Sequence, residues 1–178
     1  MKREFFGVSV ECIKGDIVKQ DEWEAIVNAA NARLLPGGGV AGAIHRAAGP
    51  GLKEECIPLG PIKPGEAVIT GAHNLPNKFV IHTLGPVYGE DKPEDKILES
   101  CYRNSLQIAE EKKISSVAFP AISTGIFGYP VAEAATVALN LVADMAGDLK
   151  YVKKIRFVLH SDRDLAVHEK AMSAIKYD

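Results

Sequence analysis

Apolar and polar residues alternate from Phe6 to Cys12. Phe6, Val8, Val10 and Cys12 fall on one side, Gly7, Ser9 and Glu11 on the other. A period of two predicts a strand with one buried face. Ala25–Ala29 is a short apolar run, as a central strand covered on both faces would show. Strand-like runs recur at Ala67–Thr70, Phe79–Thr83, Val117–Pro120 and Ile155–Leu159. Elsewhere the period lengthens to that of a helix. One stripe joins Ile97, Leu98, Cys101, Tyr102, Ser105, Leu106 and Ala109; a second joins Val131, Ala134, Ala135, Ala138, Leu139, Val142 and Met145. A shorter helix is predicted over Val40–Ala48. Ser161-Asp162-Arg163-Asp164 has the spacing of a capping box opening a last helix. Strands interleaved with helices predict an α/β domain, a mixed sheet between two helical layers. The Gly/Pro-rich stretches at 36–39, 58–65 and 85–93 are short and read as loops, so residues 1–178 are expected to form one domain.

In such sheets ligands bind beyond the carboxyl ends of the strands. Two glycine-rich segments fall there. Leu34–Ile44 follows a predicted strand and opens a helix. Ser123–Pro130 does the same, with Pro130 near the helix start. Glycine lets a ligand approach the backbone closely, and the unpaired N–H groups of a helix start favour anions. Two such loops face to face could clamp a diphosphate; tight turns alone are the plain alternative. Neither segment ends in the Gly-Lys-Ser/Thr of a phosphate loop, and neither is Gly-x-Gly-x-x-Gly with a following acidic partner. Gly15-Asp16-Ile17 closes the first strand. A carboxylate there could accept from an exocyclic amine such as that of adenine, or simply make a turn. Asn28-Ala29-Ala30-Asn31 precedes the first glycine segment, and an amide there could hold a sugar hydroxyl or a water.

Composition narrows the classes. With 47% hydrophobic and 25% charged residues the chain reads as globular. Lys+Arg number 21 and Asp+Glu 23, and a net charge of −2 argues against general nucleic-acid binding. No apolar run is long enough to span a membrane. Polar Met1–Phe5 does not read as a signal peptide. Cys12, Cys56 and Cys101 are far apart and fit free thiols in a cytoplasmic protein. The histidines show no shared metal spacing. His45 could approach the first glycine segment or serve the structure, and His82 lies in an apolar strand, as core histidines do. Asp91, Glu94 and Asp95 read as a solvated charge run.

Five segments in this order resemble the macrodomain family, particularly its MacroD-type branch. They are Gly15–Ile17, Ile26–Asn31, Gly37–Pro50 (GGGVAGAIHRAAGP), His82–Pro86 and Phe119–Pro130 (FPAISTGIFGYP). The resemblance spans nearly the whole chain. It implies a three-layer α/β/α sandwich with a mixed, mostly parallel central sheet. It also implies binding of ADP-ribose and hydrolysis of O-acetyl-ADP-ribose or of mono-ADP-ribosylated macromolecules, without metal or cofactor. By the same resemblance Asp16 would bind the adenine amine with the Ile17 N–H beside it. Gly39, Val40 and Ala41 would form one wall of a diphosphate cleft. Ser123, Thr124, Gly125, Ile126 and Phe127 would form the other, with Phe127 against the distal ribose. Asn31 would hold that ribose and help place the attacking water. Asp162 and Arg163 would fall near adenine. MacroD-type proteins carry an Asp directly after Gly-Gly-Gly-Val, thought to orient or activate the water, where this chain has Ala41. The Gly-Gly-Gly-Val-Ala-Gly form also resembles viral macrodomains that hydrolyse without that Asp. The competing expectations are an ADP-ribose reader without turnover and an unrelated nucleotide-phosphate hydrolase.

Overall fold

The computed structural model describes residues 1–176. The seven strands are β1 (Lys2–Phe5), β2 (Val8–Lys14), β3 (Ala25–Ala29), β4 (Ala67–Gly71), β5 (Phe79–Thr83), β6 (Ser116–Phe119) and β7 (Lys154–Leu159). The helices are α1 (Gly39–Ala48), α2 (Pro50–Cys56), α3 (Glu94–Glu111), α4 (Val131–Ala146) and α5 (Asp162–Ser173). The strands form one sheet in the order β1-β2-β7-β6-β3-β5-β4. The four central pairings, β2–β7, β7–β6, β6–β3 and β3–β5, are parallel; the outermost two are antiparallel. The sheet is therefore mixed and mostly parallel, with helices on both faces, as expected.

The two faces bury different things. One joins Val10, Cys12, Val27, Phe119 and Phe157 to the apolar stripes of α3 and α4, with Met172 from α5. The other packs Ile26, Val80 and Ala118 against Ile44 and Ala48 of α1 and Leu52 and Cys56 of α2. The spacing of apolar residues on α3 and α4 thus corresponds to the stripe each one buries.

The start of the chain departs from the alternation. Phe6 is 62% exposed and does not continue the buried face. Phe6 and Gly7 both have positive φ, 50° and 83°, and form a two-residue turn between Phe5 and its partner Val8. Such turns carry positive φ at both central positions. The strand begins at Val8 and pairs with β1, a polar edge strand that the alternation rule misses. The sequence reading also missed α2, whose seven residues are too few to show a helical stripe. Pro50 is the first residue of that helix, where its missing N–H costs nothing. The capping box is present in part: Ser161 Oγ accepts from the Asp164 N–H at 3.1 Å.

Candidate functional site

Because β2, β7, β6 and β3 run parallel, their carboxyl ends lie along one edge, each leading into a different loop. Gly15 and Asp16 follow β2, and the Gly15 N–H bonds the Leu159 carbonyl at the end of β7 at 2.9 Å. His160 and Asp164 follow β7. The second glycine loop follows β6, and Asn31 and the first glycine loop follow β3. Three strand spacings separate β2 from β3, roughly 14 Å at about 4.8 Å each.

A cleft of about 450 Å³ opens along this edge. Ala29, Pro120, Ala121 and Val158 come from the ends of β3, β6 and β7. Gly38, Gly39 and Val40 contribute one wall, and Ser123 through Phe127 the other. Among the described lining residues, His160 and Asp164 are the ionisable ones, and no lysine or arginine takes part. An anion in this cleft would meet N–H groups rather than cationic side chains.

The first wall is a helix start. Gly38 lends α1 no side-chain cap, so the first N–H groups stay unpaired within the helix. The Gly42 N–H returns to Gly38 O at 3.3 Å. A Cβ at Gly42 would stand 2.2 Å from Gly37 O, so only glycine lets this loop lie against its own helix. Ala41 is 5% exposed and buried beneath the wall.

Under this wall runs a polar seam. Asn28 Nδ2 donates to His82 Nδ1 at 3.1 Å, which makes Nε2 the protonated nitrogen; it donates to Thr70 Oγ1 at 2.9 Å. The Thr70 hydroxyl donates to Gly71 O at 2.9 Å. Burial pushes His82 down to about 3 and the Cys56 thiol beside it up to about 11, so both are neutral. His45 lies four residues beyond Ala41 on α1. It is 6% exposed, and neither ring nitrogen has a hydrogen-bond partner among the described residues; nor does Asn28 Oδ1. Burial first, then the Lys53 charge, lowers the His45 pKa.

The second wall is a self-braced turn. Thr124 Oγ1 donates to Ala121 O at 2.8 Å, the Gly128 N–H to Gly125 O at 3.0 Å and the Tyr129 N–H to Ser123 O at 2.9 Å. Ser123 has φ 67°, and its buried hydroxyl has no partner among the described residues. A Cβ on Gly85 would fall 2.0 Å from that hydroxyl. Phe127 leans on the α1-side core, whereas Ile126 is 99% exposed.

Gly39, Val40, Ser123, Thr124, Gly125, Ile126 and Phe127 thus meet around one cleft. Asp16, Ile17, Asn31 and Ala41 are not among its lining residues. Asp16 is exposed, and one carboxylate oxygen accepts the Val18 N–H at 3.1 Å, making the start of a 3-10 turn over Ile17–Lys19. Ile17 is buried in the core. The Asn31 amide folds back on Leu35, donating to its carbonyl at 2.7 Å and accepting its N–H at 3.0 Å. One amide N–H and further lone pairs remain. Asp162 pairs with Lys14 at 3.4 Å, and it is Asp164 and His160 that reach the cleft. Sequence reasoning missed these two; their one signal is position just past the last strand. Among the described residues no three His, Cys, Asp or Glu side chains gather as metal ligands would. No described helix is long and apolar enough to cross a membrane.

A parallel-centred α/β sheet with a glycine-walled cleft at its carboxyl edge places the chain among the open α/β domains that take ligands beyond their strand ends. Within that class the chain belongs to the macro domain family, whose profile matches residues 27–138. A macro domain-containing protein of Chlorobaculum tepidum is 52% identical over 94% of this chain and 97% of its own length. The O-acetyl-ADP-ribose deacetylase of Citrobacter koseri is 49% identical over 89% of this chain and 92% of its own. A glycine-to-valine variant of the Oceanobacillus iheyensis macrodomain, solved with ADPR, superposes with a TM-score of 0.92. It is 38% identical, and the match covers 97% of this chain and 96% of that one.

Proposed function

We propose that this chain binds ADP-ribose along the carboxyl edge and hydrolyses ADP-ribosyl linkages. The substrates are O-acetyl-ADP-ribose and mono-ADP-ribosylated acidic side chains of macromolecules. The observation that carries the reading is the pair of glycine walls facing each other across a cleft without lysine or arginine. Their N–H groups suit a diphosphate, and the loops after β2 and β3 lie on either side of it, which supports a ligand extended along the edge. Asp16, at the β2 end, takes the adenine amine with the Ile17 N–H beside it. Gly39, Val40 and Ala41 hold the diphosphate from one side and Ser123 through Ile126 from the other. Phe127 lies against the distal ribose. Asn31, at the β3 end, bonds that ribose with the capacity its contact with Leu35 leaves free. A water held between Asn31 and the diphosphate attacks the distal ribose C1″ or its ester, and the loop N–H groups meet the charge that develops. Relatives named O-acetyl-ADP-ribose deacetylase support a hydrolase. No step calls on a metal or cofactor. The three buried free thiols suit a cytoplasmic setting.

A second reading, an ADP-ribose reader without turnover, is favoured by Ala41, whose side chain can take no proton. Release of ADP-ribose from a glutamate-modified protein, followed by mass spectrometry, separates the two. The expected result is release by the wild type and its loss in Asn31→Ala, with binding of free ADP-ribose kept in both. No release from a protein that still binds supports the reader. Absence of calorimetric heat with millimolar ADP-ribose sinks both.

A further inference from the structure

A braced cluster lies behind the turn that presents Asp16. Gln20 is 5% exposed, and its Nε2 donates to the Asp16 backbone carbonyl at 2.8 Å. Its Oε1 accepts from Arg156 Nη1, also at 2.8 Å. Arg156 stands directly opposite Glu11 in the parallel β2–β7 register. Its Nε and Nη2 both reach Glu11 Oε1, at 2.8 and 2.6 Å. The guanidinium plane sits over the Trp23 ring, 4.5 Å from its centroid. Asn77 Nδ2 ties the Gln20 and Trp23 carbonyls together at 2.8 and 2.7 Å.

The chain of contacts has a direction. Glu11 and Trp23 hold Arg156; Arg156 fixes the amide of Gln20; Gln20 holds the main chain of Asp16. The Asp16 carboxylate is itself exposed and has a single described bond, to the neighbouring Val18 N–H. A carboxylate on a loose turn accepts from any donor that comes near. One on a fixed main chain discriminates, because a misplaced or missing donor leaves it unpaired. Only the planar fork of arginine can serve Glu11, Gln20 and the indole face at once.

We propose that Gln20, backed by Arg156, is a positioning residue for base selectivity, holding Asp16 where it accepts the exocyclic amine of a purine ring. The inference rests on the reading of Asp16 given above. Its test compares two ligands by calorimetry: ADP-ribose, and the analogue with hydrogen in place of the 6-amino group. The wild type is expected to prefer ADP-ribose roughly ten- to a hundredfold, and Asp16→Ala to lose that preference. Gln20→Glu keeps the size and the Arg156 contact but removes the side-chain N–H on the Asp16 carbonyl, which then keeps the Lys19 N–H at 3.0 Å. Its added charge weighs on both ligands alike and cancels in the ratio. Arg156→Lys keeps the charge and loses the fork. Both variants should bring the ratio towards that of Asp16→Ala. A wild-type ratio in both, or equal losses for the two ligands, overturns the positioning role and leaves Asp16 standing. A wild type that does not distinguish the ligands overturns the Asp16 assignment and the brace with it. A wild type that binds neither overturns the proposed function.

Discussion

The two walls of the cleft reach the same end by different means. The first takes its donors from the start of α1, on which Gly42 lets the loop lie directly, with the Asn31 amide bracing the loop at Leu35. The second has no helix beneath its donors and is knitted by turn hydrogen bonds from Ala121 to Tyr129. Their foundations differ as well. The first rests on the seam of Asn28, His82, Thr70 and His45, where three polar atoms lack described partners. The second rests on aromatic packing, where Tyr102 lies 5.1 Å from Phe119 and its hydroxyl accepts the Ile122 N–H at 3.3 Å. The wall nearest the proposed chemistry thus stands on the polar, less satisfied side of the sheet. Buried polar atoms without partners are uncommon in native interiors and mark places held for function or hydration.

The largest effect should come from Ala41→Asp. It puts a carboxylate one helical turn before His45, whose ring nitrogens have no partner among the described residues. ADP-ribose release should rise by about 10²–10⁴, the usual contribution of a general base. An unchanged rate would mean that a carboxylate at position 41 does not reach the attacking water. A pair of glycine variants then separates the walls. Gly125→Glu has open space and no positive φ, so melting should be unaffected. Its charge in a diphosphate cleft should weaken ADP-ribose binding by more than about 100-fold. Gly42→Val meets a backbone carbonyl and should instead lower stability by about 1–3 kcal/mol, read from denaturant midpoints. Equal stability losses in both would erase the distinction between the walls.

The smallest effect is a pH slope. His82 is held far below its ordinary 6.5, at about 3, by burial. The unfolded chain takes up a proton near 6.5 that the folded chain refuses until about 3. Stability is therefore full above 6.5 and falls as pH drops through that window, by up to about 1.4 kcal/mol per pH unit from this group. His82→Gln should reduce the slope measured by urea unfolding at pH 7, 6 and 5, leaving the part due to the buried His45 and His168, whose pKa values burial also lowers. A slope that is undiminished by the substitution would assign it wholly to those other groups.

Much of this was legible because apolar period and burial coincide: Ala25–Ala29, Phe79–Thr83 and the stripes of α3 and α4 lie where their patterns put them. The failures have local causes. Phe6 fits an alternating pattern but sits in a turn, since alternation cannot see a φ of 50°. The helix that Pro50 opens is too short to show a stripe. At the candidate site, the glycine segments, residues of which line the cleft, stood out by composition. His160 and Asp164 did not, because their place beside the cleft comes from strand order and not from any nearby motif. Asp16 and Asn31 show the limit most plainly: each also satisfies a local turn, and residue type alone cannot apportion a side chain between its turn and a ligand.

Strand order in space is not strand order in sequence. The last strand, Lys154–Leu159, is inserted between the first long strand and β6, so it joins the Asp16 end of the cleft to the glycine walls. β3 pairs directly with β5 and β6, but β2, which leads to Asp16, meets β6 only through residues 154–159. Any ligand that spans both Asp16 and the glycine walls therefore depends on a strand remote in sequence from both, and β7 is the link that sets their spacing.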